Sequence, residues 1–271
     1  MTRVAFQGER GAFSEDAVIK FFGDAELIPC RLIADVFEST WKDEVNFGVV
    51  PIENSQAGSI NETYDLLLKY ALNISGEIIL KVSHCLLALP GETLEGIKRI
   101  YSHPQALAQC EEFLTKLNLD IVPTYDTAGS AKMIKEGKLL RCAAIASERA
   151  SQIYQLEILA HDIETNPSNY TKFVVISKER ASRAERNKTS LIFATKNTPG
   201  ALYDSLGTFA TRDINLIKLE SRPSKDKPWE YIFYVDLEGH MEDEPCKVAL
   251  AELWDRANLV KILGSYPVAE E

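Results

Sequence analysis

Ser177-Lys178-Glu179-Arg180-Ala181-Ser182-Arg183-Ala184-Glu185-Arg186-Asn187-Lys188 divides the chain. It carries seven charges and no large apolar side chain. A stretch that brings nothing to a core reads as a boundary between domains. Ahead of it, short apolar runs alternate with helical patterns, the mark of an α/β domain. Val4-Ala5-Phe6 and Phe47-Gly48-Val49-Val50 predict strands, the second stopping at Pro51. Ile60, Tyr64, Leu67 and Leu68 recur at helical spacing, and Ile78 to Leu89 reads as extended, interrupted at Ser83 and His84. Pro104 opens a helix whose buried stripe is Leu107, Cys110, Leu114 and Leu117. Ala131 to Glu136 predicts another helix, while Ala143 to Ala146 and Phe173 to Ile176 predict buried strands. Behind the boundary come a strand at Leu191 to Ala194, a helix at Pro199 to Thr211, strands at Ile217 to Glu220 and Tyr231 to Leu237, a helix at Val248 to Arg256 and a strand at Leu259 to Leu263. That β-α-β-β-α-β order is ferredoxin-like. The fold class is α/β throughout.

Composition narrows the function. Of 271 residues, 45% are hydrophobic and 26% charged, as in packed globular proteins. Lys and Arg number 30 against 40 Asp and Glu, a formal charge of −10 that disfavours nucleic acid and anionic membranes as partners. The N-terminus turns polar at Gln7, too early for a signal peptide, and no apolar run approaches a membrane span. The five cysteines form no CxxC pair, so neither a zinc site nor a disulfide framework is indicated. The expectation is a cytoplasmic protein without a metal.

Several segments carry chemistry. Gly8-Glu9-Arg10-Gly11 lacks the full dinucleotide spacing and reads as a strand-to-helix turn. Gly11-Ala12-Phe13-Ser14, Glu53-Asn54-Ser55, Ser102-His103-Pro104-Gln105 and Thr127-Ala128-Gly129-Ser130 each put small polar residues where a strand gives way to a helix. Free N–H groups there bind carboxylates, although serine and threonine at such positions are also ordinary caps. Several such ends in one open α/β domain point to a small acidic ligand. Asn169-Tyr170-Thr171-Lys172-Phe173 enters the last strand of the domain. His103 is the one histidine in a candidate segment, and His84, His161 and His240 show no usable partner spacing.

Gly48-Val49-Val50-Pro51-Ile52-Glu53-Asn54-Ser55, Ser102-His103-Pro104-Gln105-Ala106-Leu107 and Asn169-Tyr170-Thr171-Lys172-Phe173 resemble the catalytic signatures of prephenate dehydratases. Gly200-Ala201-Leu202-Tyr203 and Glu220-Ser221-Arg222-Pro223 resemble the phenylalanine-binding motifs of that family's ACT domain. The resemblance spans essentially the whole chain, in order. It implies a two-lobed catalytic domain over residues 1–180, like type 2 periplasmic-binding proteins, followed by a ferredoxin-like ACT regulatory domain over 188–271. The implied reaction turns prephenate into phenylpyruvate, CO2 and water without a cofactor, under feedback by L-phenylalanine.

The family's essential threonine falls on Thr171, as proton donor or as hydrogen-bond partner of the departing hydroxyl. A threonine hydroxyl is a weak acid, so oriented hydrogen bonding is easier to defend than general acid catalysis. Asn54, Ser102 and Gln109 match other catalytic positions, with Ser55, Thr127, Ser130, Lys172 and Phe173 expected at the substrate. The family's usual arginine is replaced by Lys172, which keeps the charge and loses the bidentate fork. Whether it grips a carboxylate or braces a hinge stays open. In the ACT domain the resemblance puts L-phenylalanine among Gly200, Ala201, Leu202, Asn215 and Leu216, with Glu220, Ser221 and Arg222 linking that site to an interface of a homodimer or homotetramer. The first strand begins by residue 3, so no fused chorismate mutase is expected. Two alternatives stand beside this: arogenate as substrate, giving phenylalanine directly, and a non-catalytic amino-acid sensor.

Overall fold

The computed structural model describes residues 1–224 and 230–269, so residues 225–229 and 270–271 of the ACT domain drawn from the sequence lie outside them. The first part runs β1 (Arg3–Gln7), α1 (Phe13–Phe22), β2 (Glu26–Cys30), α2 (Ile33–Trp41), β3 (Phe47–Asn54), β4 (Gly58–Ser59), α3 (Asn61–Lys69), β5 (Asn73–Lys81), β6 (Cys85–Ala88), β7 (Arg99–Ser102), α4 (Pro104–Gln109), α5 (Glu111–Leu117), β8 (Asp120–Pro123), α6 (Thr127–Gly137), β9 (Cys142–Ala146), α7 (Glu148–Tyr154), β10 (Glu157–Ala160) and β11 (Tyr170–Ser177). The second runs β12 (Asn187–Ala194), α8 (Ala201–Ala210), β13 (Leu216–Pro223), β14 (Tyr231–Glu238), α9 (Glu244–Arg256) and β15 (Leu259–Pro267). By compactness the chain forms two units, Met1–Tyr64 with Ile78–Phe173, and Asp65–Glu77 with Val174–Glu271.

The first part of the chain, β1 to β11, forms two sheets. One has the order β2-β1-β3-β11-β5 with β4 on β3, the other β10-β6-β9-β7-β8. β1 pairs parallel with both β2 and β3, and its Val4, Ala5 and Phe6 are fully buried, as a central parallel strand requires. Two crossovers join the sheets, from β5 into β6 and from β10 into β11. They run together: Val82 N–H donates to Asn169 O at 2.8 Å and Ile163 N–H to His84 O at 3.1 Å. This is the expected two-lobed α/β architecture. The Gly8–Gly11 turn is filled by protein. A Cβ on Gly8 (φ +109°) would lie 2.8 Å from Asp126 Oδ2, and one on Gly11 (φ +86°) 2.8 Å from Ala150 Cα. Lys132 reaches Glu9 Oε2 at 3.0 Å, and the Ser147 hydroxyl donates to Gly11 O at 2.6 Å. The turn therefore binds the second sheet's helices.

Three details depart from the sequence reading. β3 continues past Pro51 to Asn54, tolerated because a proline need only be spared from donating; its carbonyl takes the Thr63 hydroxyl at 2.6 Å. The single helix expected after Pro104 breaks at Cys110 (φ −105°, ψ 18°) into α4 and α5. There the Gln109 carbonyl accepts from Thr165 N at 2.8 Å in place of a helical N–H. Finally, β12 begins at Asn187, so Lys188, the last charge of the boundary stretch, lies in a strand at 2% exposure.

In the second unit the sheet order is β13-β14-β12-β15, antiparallel throughout, the expected ferredoxin-like βαββαβ topology. Phe193 stacks on Phe233 with centroids 5.1 Å apart, and Phe209, Leu250 and Leu253 from α8 and α9 close the core. Lys188 ion-pairs with Glu77 and lies 3.7 Å from Asp236. Lys261 Nζ donates to the carbonyls of Leu67, Leu68 and Tyr70 at 2.7, 3.0 and 2.6 Å, satisfying the open C-terminus of α3.

Candidate active site

A cavity of about 190 Å³ opens in the first unit where α1, β3, α4, α6 and β11 converge. Of the residues expected at the site, Asn54, Gln109, Thr127, Thr171 and Phe173 line it. The strand period explains the pattern on β11. Alternate side chains share a face, so Thr171 and Phe173 turn to the cavity and Lys172 does not. Lys172 Nζ instead lies 3.9 Å from Glu53 Oε2, both side chains about one-third exposed.

Asn54 is the organising group. Its Nδ2 donates to Asn169 Oδ1 at 2.8 Å, Thr171 Oγ1 at 3.0 Å and Tyr170 O at 3.2 Å. Its Oδ1 accepts from Gln56 N at 3.0 Å and Ala57 N at 2.9 Å, an Asx turn that holds the amide in one orientation. Thr171 Oγ1 is thereby an acceptor toward Asn54, and its own O–H remains to donate. Thr171 as a whole is 9% exposed.

The other expected residues sit around this centre without lining the cavity. Ser102 is fully buried and donates to Ile145 O at 2.7 Å, joining β7 to β9. Ser130, 1% exposed, donates to Asp126 O at 2.9 Å and shares a 2.5 Å hydrogen bond with Thr124. Ser55 is exposed, donates to Ser168 O at 3.2 Å and accepts from Tyr170 N at 2.9 Å, which pins the approach to β11.

The helix ends divide likewise. At α6, Asp126 Oδ1 takes Gly129 N–H at 2.8 Å, and at α4, His103 Nδ1 takes Gln105 N–H at 3.2 Å. These ends are occupied by their own caps. Asn54-Ser55 lies at the end of β3 and opens no helix. Only α1, of the four segments, begins without a side-chain cap, and Ala12, Phe13 and Ser14 all face the cavity.

Further polar cavity residues outside the expected set include His84, Tyr125 and Asp126. His84 is 2% exposed, with Nε2 2.9 Å from Gln109 Oε1. Burial lowers its pKa, against the raising effects of Gln109 and Glu164. Burial likewise raises the pKa of Asp126, opposed by the backbone N–H groups of Gly129, Glu9 and Ala128. Burial and the hydrogen bond to Glu9 push Tyr125 up to about 12. The sequence signal for His84 was its interruption of an apolar run, but its partner lies 25 residues away and across a crossover. Among the described residues, no group of three or more His, Cys, Asp or Glu side chains is placed to hold a metal ion, and no helix is long and apolar enough to cross a membrane.

In the second unit, Gly200 (φ +84°) caps α8, and Ala201 and Leu202 form its first turn. Asn215 is exposed just before β13, which Leu216 opens. Along β13, Glu220 pairs with Lys218 at 3.6 Å, Ser221 is exposed, and Arg222 lies 4.0 Å from Asp65.

The prephenate dehydratase family pattern matches residues 4–181, and that of the ACT domain residues 189–246. Arogenate dehydratase/prephenate dehydratase 2 of Arabidopsis thaliana, a chloroplastic protein, is 45% identical over 98% of this chain and 73% of its own. The crystal structure of prephenate dehydratase from Arthrobacter aurescens in complex with L-Phe superposes with a TM-score of 0.91 at 34% identity, over 99% of this chain and 90% of that one. A structure described as GqqA, a novel type of quorum quenching acylase, superposes at 0.89 with 36% identity over 98% of both chains. The chain belongs to the prephenate dehydratase family, with an ACT domain after the dehydratase region.

Proposed function

We propose that this protein converts prephenate to phenylpyruvate, CO2 and water, and that L-phenylalanine bound to the second unit regulates it. The observation that carries the reading is the Thr171 hydroxyl, fixed by Asn54 at 3.0 Å on a largely buried residue at the cavity wall, with its proton free to donate. In prephenate the ring carboxylate departs as CO2, its bonding electrons complete the aromatic ring, and the ring hydroxyl leaves with a proton as water. Aromatisation supplies the driving force. The protein's task is to align the dianion and steady the departing oxygen, which a preorganised donor does best where water is excluded. The uncapped start of α1 offers N–H groups to a carboxylate, Gln109 a second donor, and Phe173 a face for the ring. Lys172 is proposed to act through Glu53 at the edge of the site, and Ser55, Ser102 and Ser130 to hold the segments that carry the donors.

The test is spectroscopic detection of phenylpyruvate from prephenate, with Thr171→Ala beside the wild type. Loss of one such donor is expected to lower kcat by about 10²–10³-fold. A Thr171→Ala variant as fast as wild type would overturn the assignment. A second substrate has its own support. Asp126 places a carboxyl group in the same cavity, where it suits the ammonium that arogenate carries in place of prephenate's keto group. The same assay with arogenate, read as phenylalanine, separates the two. Among the described residues no serine or threonine lining the cavity is hydrogen-bonded to a histidine, so acyl transfer is not proposed.

The effector site is proposed at Gly200–Leu202, Asn215, Leu216 and Glu220–Arg222, and inhibition by added L-phenylalanine is the expected outcome. A homo-oligomer is proposed through the second unit, where the edge strand β13 exposes Ile217 and Leu219, each 46% accessible. The cytoplasm is the proposed location, and the five free cysteines fit a reducing compartment.

A further inference from the structure

We propose that His84 is a positioning residue for Gln109: its neutral ring donates Nε2–H to Gln109 Oε1 and so leaves the Gln109 NH2 group for the substrate. The inference rests on the dehydratase reading of the cavity and adds a role that no motif of the chain points to. His84 is held through its backbone and one face of its ring. Its backbone N–H donates to Glu164 Oε2 at 2.9 Å, and its carbonyl accepts from Ile163 N at 3.1 Å. The Phe13 ring meets the imidazole edge-on with centroids 5.6 Å apart. The ring is therefore fixed where β5 crosses into β6, and Nε2 meets the Gln109 amide at 2.9 Å.

The tautomer follows from the other ring nitrogen. Nδ1 is buried without a hydrogen-bond partner. A lone pair left there is tolerated far better than a buried N–H with no acceptor. The proton accordingly sits on Nε2, and the Gln109 oxygen must accept it. Burial, which disfavours the imidazolium, keeps Nδ1 unprotonated. With its oxygen engaged, Gln109 turns its amide nitrogen away from His84, and no protein acceptor takes that nitrogen among the described residues. The break between α4 and α5, where Thr165 N–H holds the Gln109 carbonyl, fixes the same residue from its backbone. For a substrate rich in carboxylate and hydroxyl oxygens, a donor is the useful end of an amide. An unconstrained glutamine would present either end.

The experiment is a double-mutant cycle with prephenate as substrate, using His84→Leu and Gln109→Ala singly and together, with His84→Gln as the conservative variant. His84→Leu is expected to lower kcat/KM by about 10–100-fold, mainly through kcat, as small displacements of a positioned group do. In the Gln109→Ala background the same change should alter kcat/KM less than about twofold, since the positioned group is gone. His84→Gln, which can place an N–H near the position of Nε2, should recover most of the loss. Equal losses in both backgrounds would overturn the proposal. A second readout needs neither turnover nor the substituted variants. Long-range ¹H–¹⁵N correlation of the wild-type ring should show the Nε2–H tautomer, and an Nδ1–H tautomer would overturn the proposal even if prephenate is the substrate. Absence of prephenate turnover by a wild type with the Nε2–H tautomer would fail the dehydratase reading alone.

Discussion

Lys188 and His84 are equally hidden from solvent, at 2% exposure each, yet the two units treat a buried base in opposite ways. Around Lys188 the second unit assembles counter-charges: Glu77 directly, Asp236 at 3.7 Å, and the Tyr266 ring 5.4 Å from Nζ. Glu77 is in turn held by Ala269 N–H at 3.0 Å. Around His84 the first unit supplies one neutral partner and leaves Nδ1 with none. The first arrangement matches a buried charge with counter-charges, as a core requires. The second leaves hydrogen-bonding capacity unspent beside a cavity, which is what a binding site requires and a core avoids.

The comparison can be broken most forcefully at Lys188. Lys188→Met strands the Glu77 carboxylate in the interior and is expected to destabilise the protein by about 3–5 kcal/mol. Adding Glu77→Leu should restore most of that, because a shape-matched apolar pair is often neutral beside a buried ion pair. Urea denaturation of the two variants measures both values. A loss below about 1 kcal/mol in the single variant would show that water reaches the pair.

The opposite expectation holds at His84. His84→Leu should change folding stability by less than about 1 kcal/mol, since it removes an unpaired buried nitrogen while freeing a Gln109 oxygen at a solvent-accessible cavity. A large loss in the same denaturation experiment would make His84 a core residue and erase the contrast with Lys188.

A third effect bears on the contrast through charge and pH. Burial raises the Asp16 pKa to about 6, opposed by Arg149 and assisted by Glu15. The folded value lies above the ordinary 3.8, so the ionised group destabilises the fold at neutral pH, and stability contributed by this site rises as pH falls from about 6 toward 4. Asp16→Asn should therefore stabilise by about 1 kcal/mol at pH 7.5, a figure reduced for partial exposure, and by nothing near pH 4. A gain that is the same at both pH values would show that charge is not the cause.

Much of the candidate site was readable in advance because its residues fall in short local motifs. Asn54 ends a strand, and Thr171 and Phe173 alternate with Lys172 along another, so local periodicity alone sorts which side chains share a face. The signal weakens where a hydroxyl serves the backbone. Nothing local distinguishes Ser102, bound to Ile145 O, or Ser130, bound to Asp126 O, from a serine that faces a ligand. It disappears for pairs made across the fold. His84 meets Gln109 only because two crossovers run side by side, and Asp126 enters the cavity only because the Gly8 turn closes on it.

The chain by itself determined the α/β first part, the βαββαβ second part and the motifs that identify the family, because apolar period and turn chemistry are properties of neighbours in sequence. Only the tertiary structure decided that Lys188, the last charge of the boundary stretch, is the buried half of an ion pair with Glu77. It alone decided which helix starts stay open to a ligand, leaving α1 uncapped while Asp126 and His103 close α6 and α4. Burial and hydrogen-bond satisfaction depend on groups brought together from distant parts of the chain, and local pattern carries no record of those meetings.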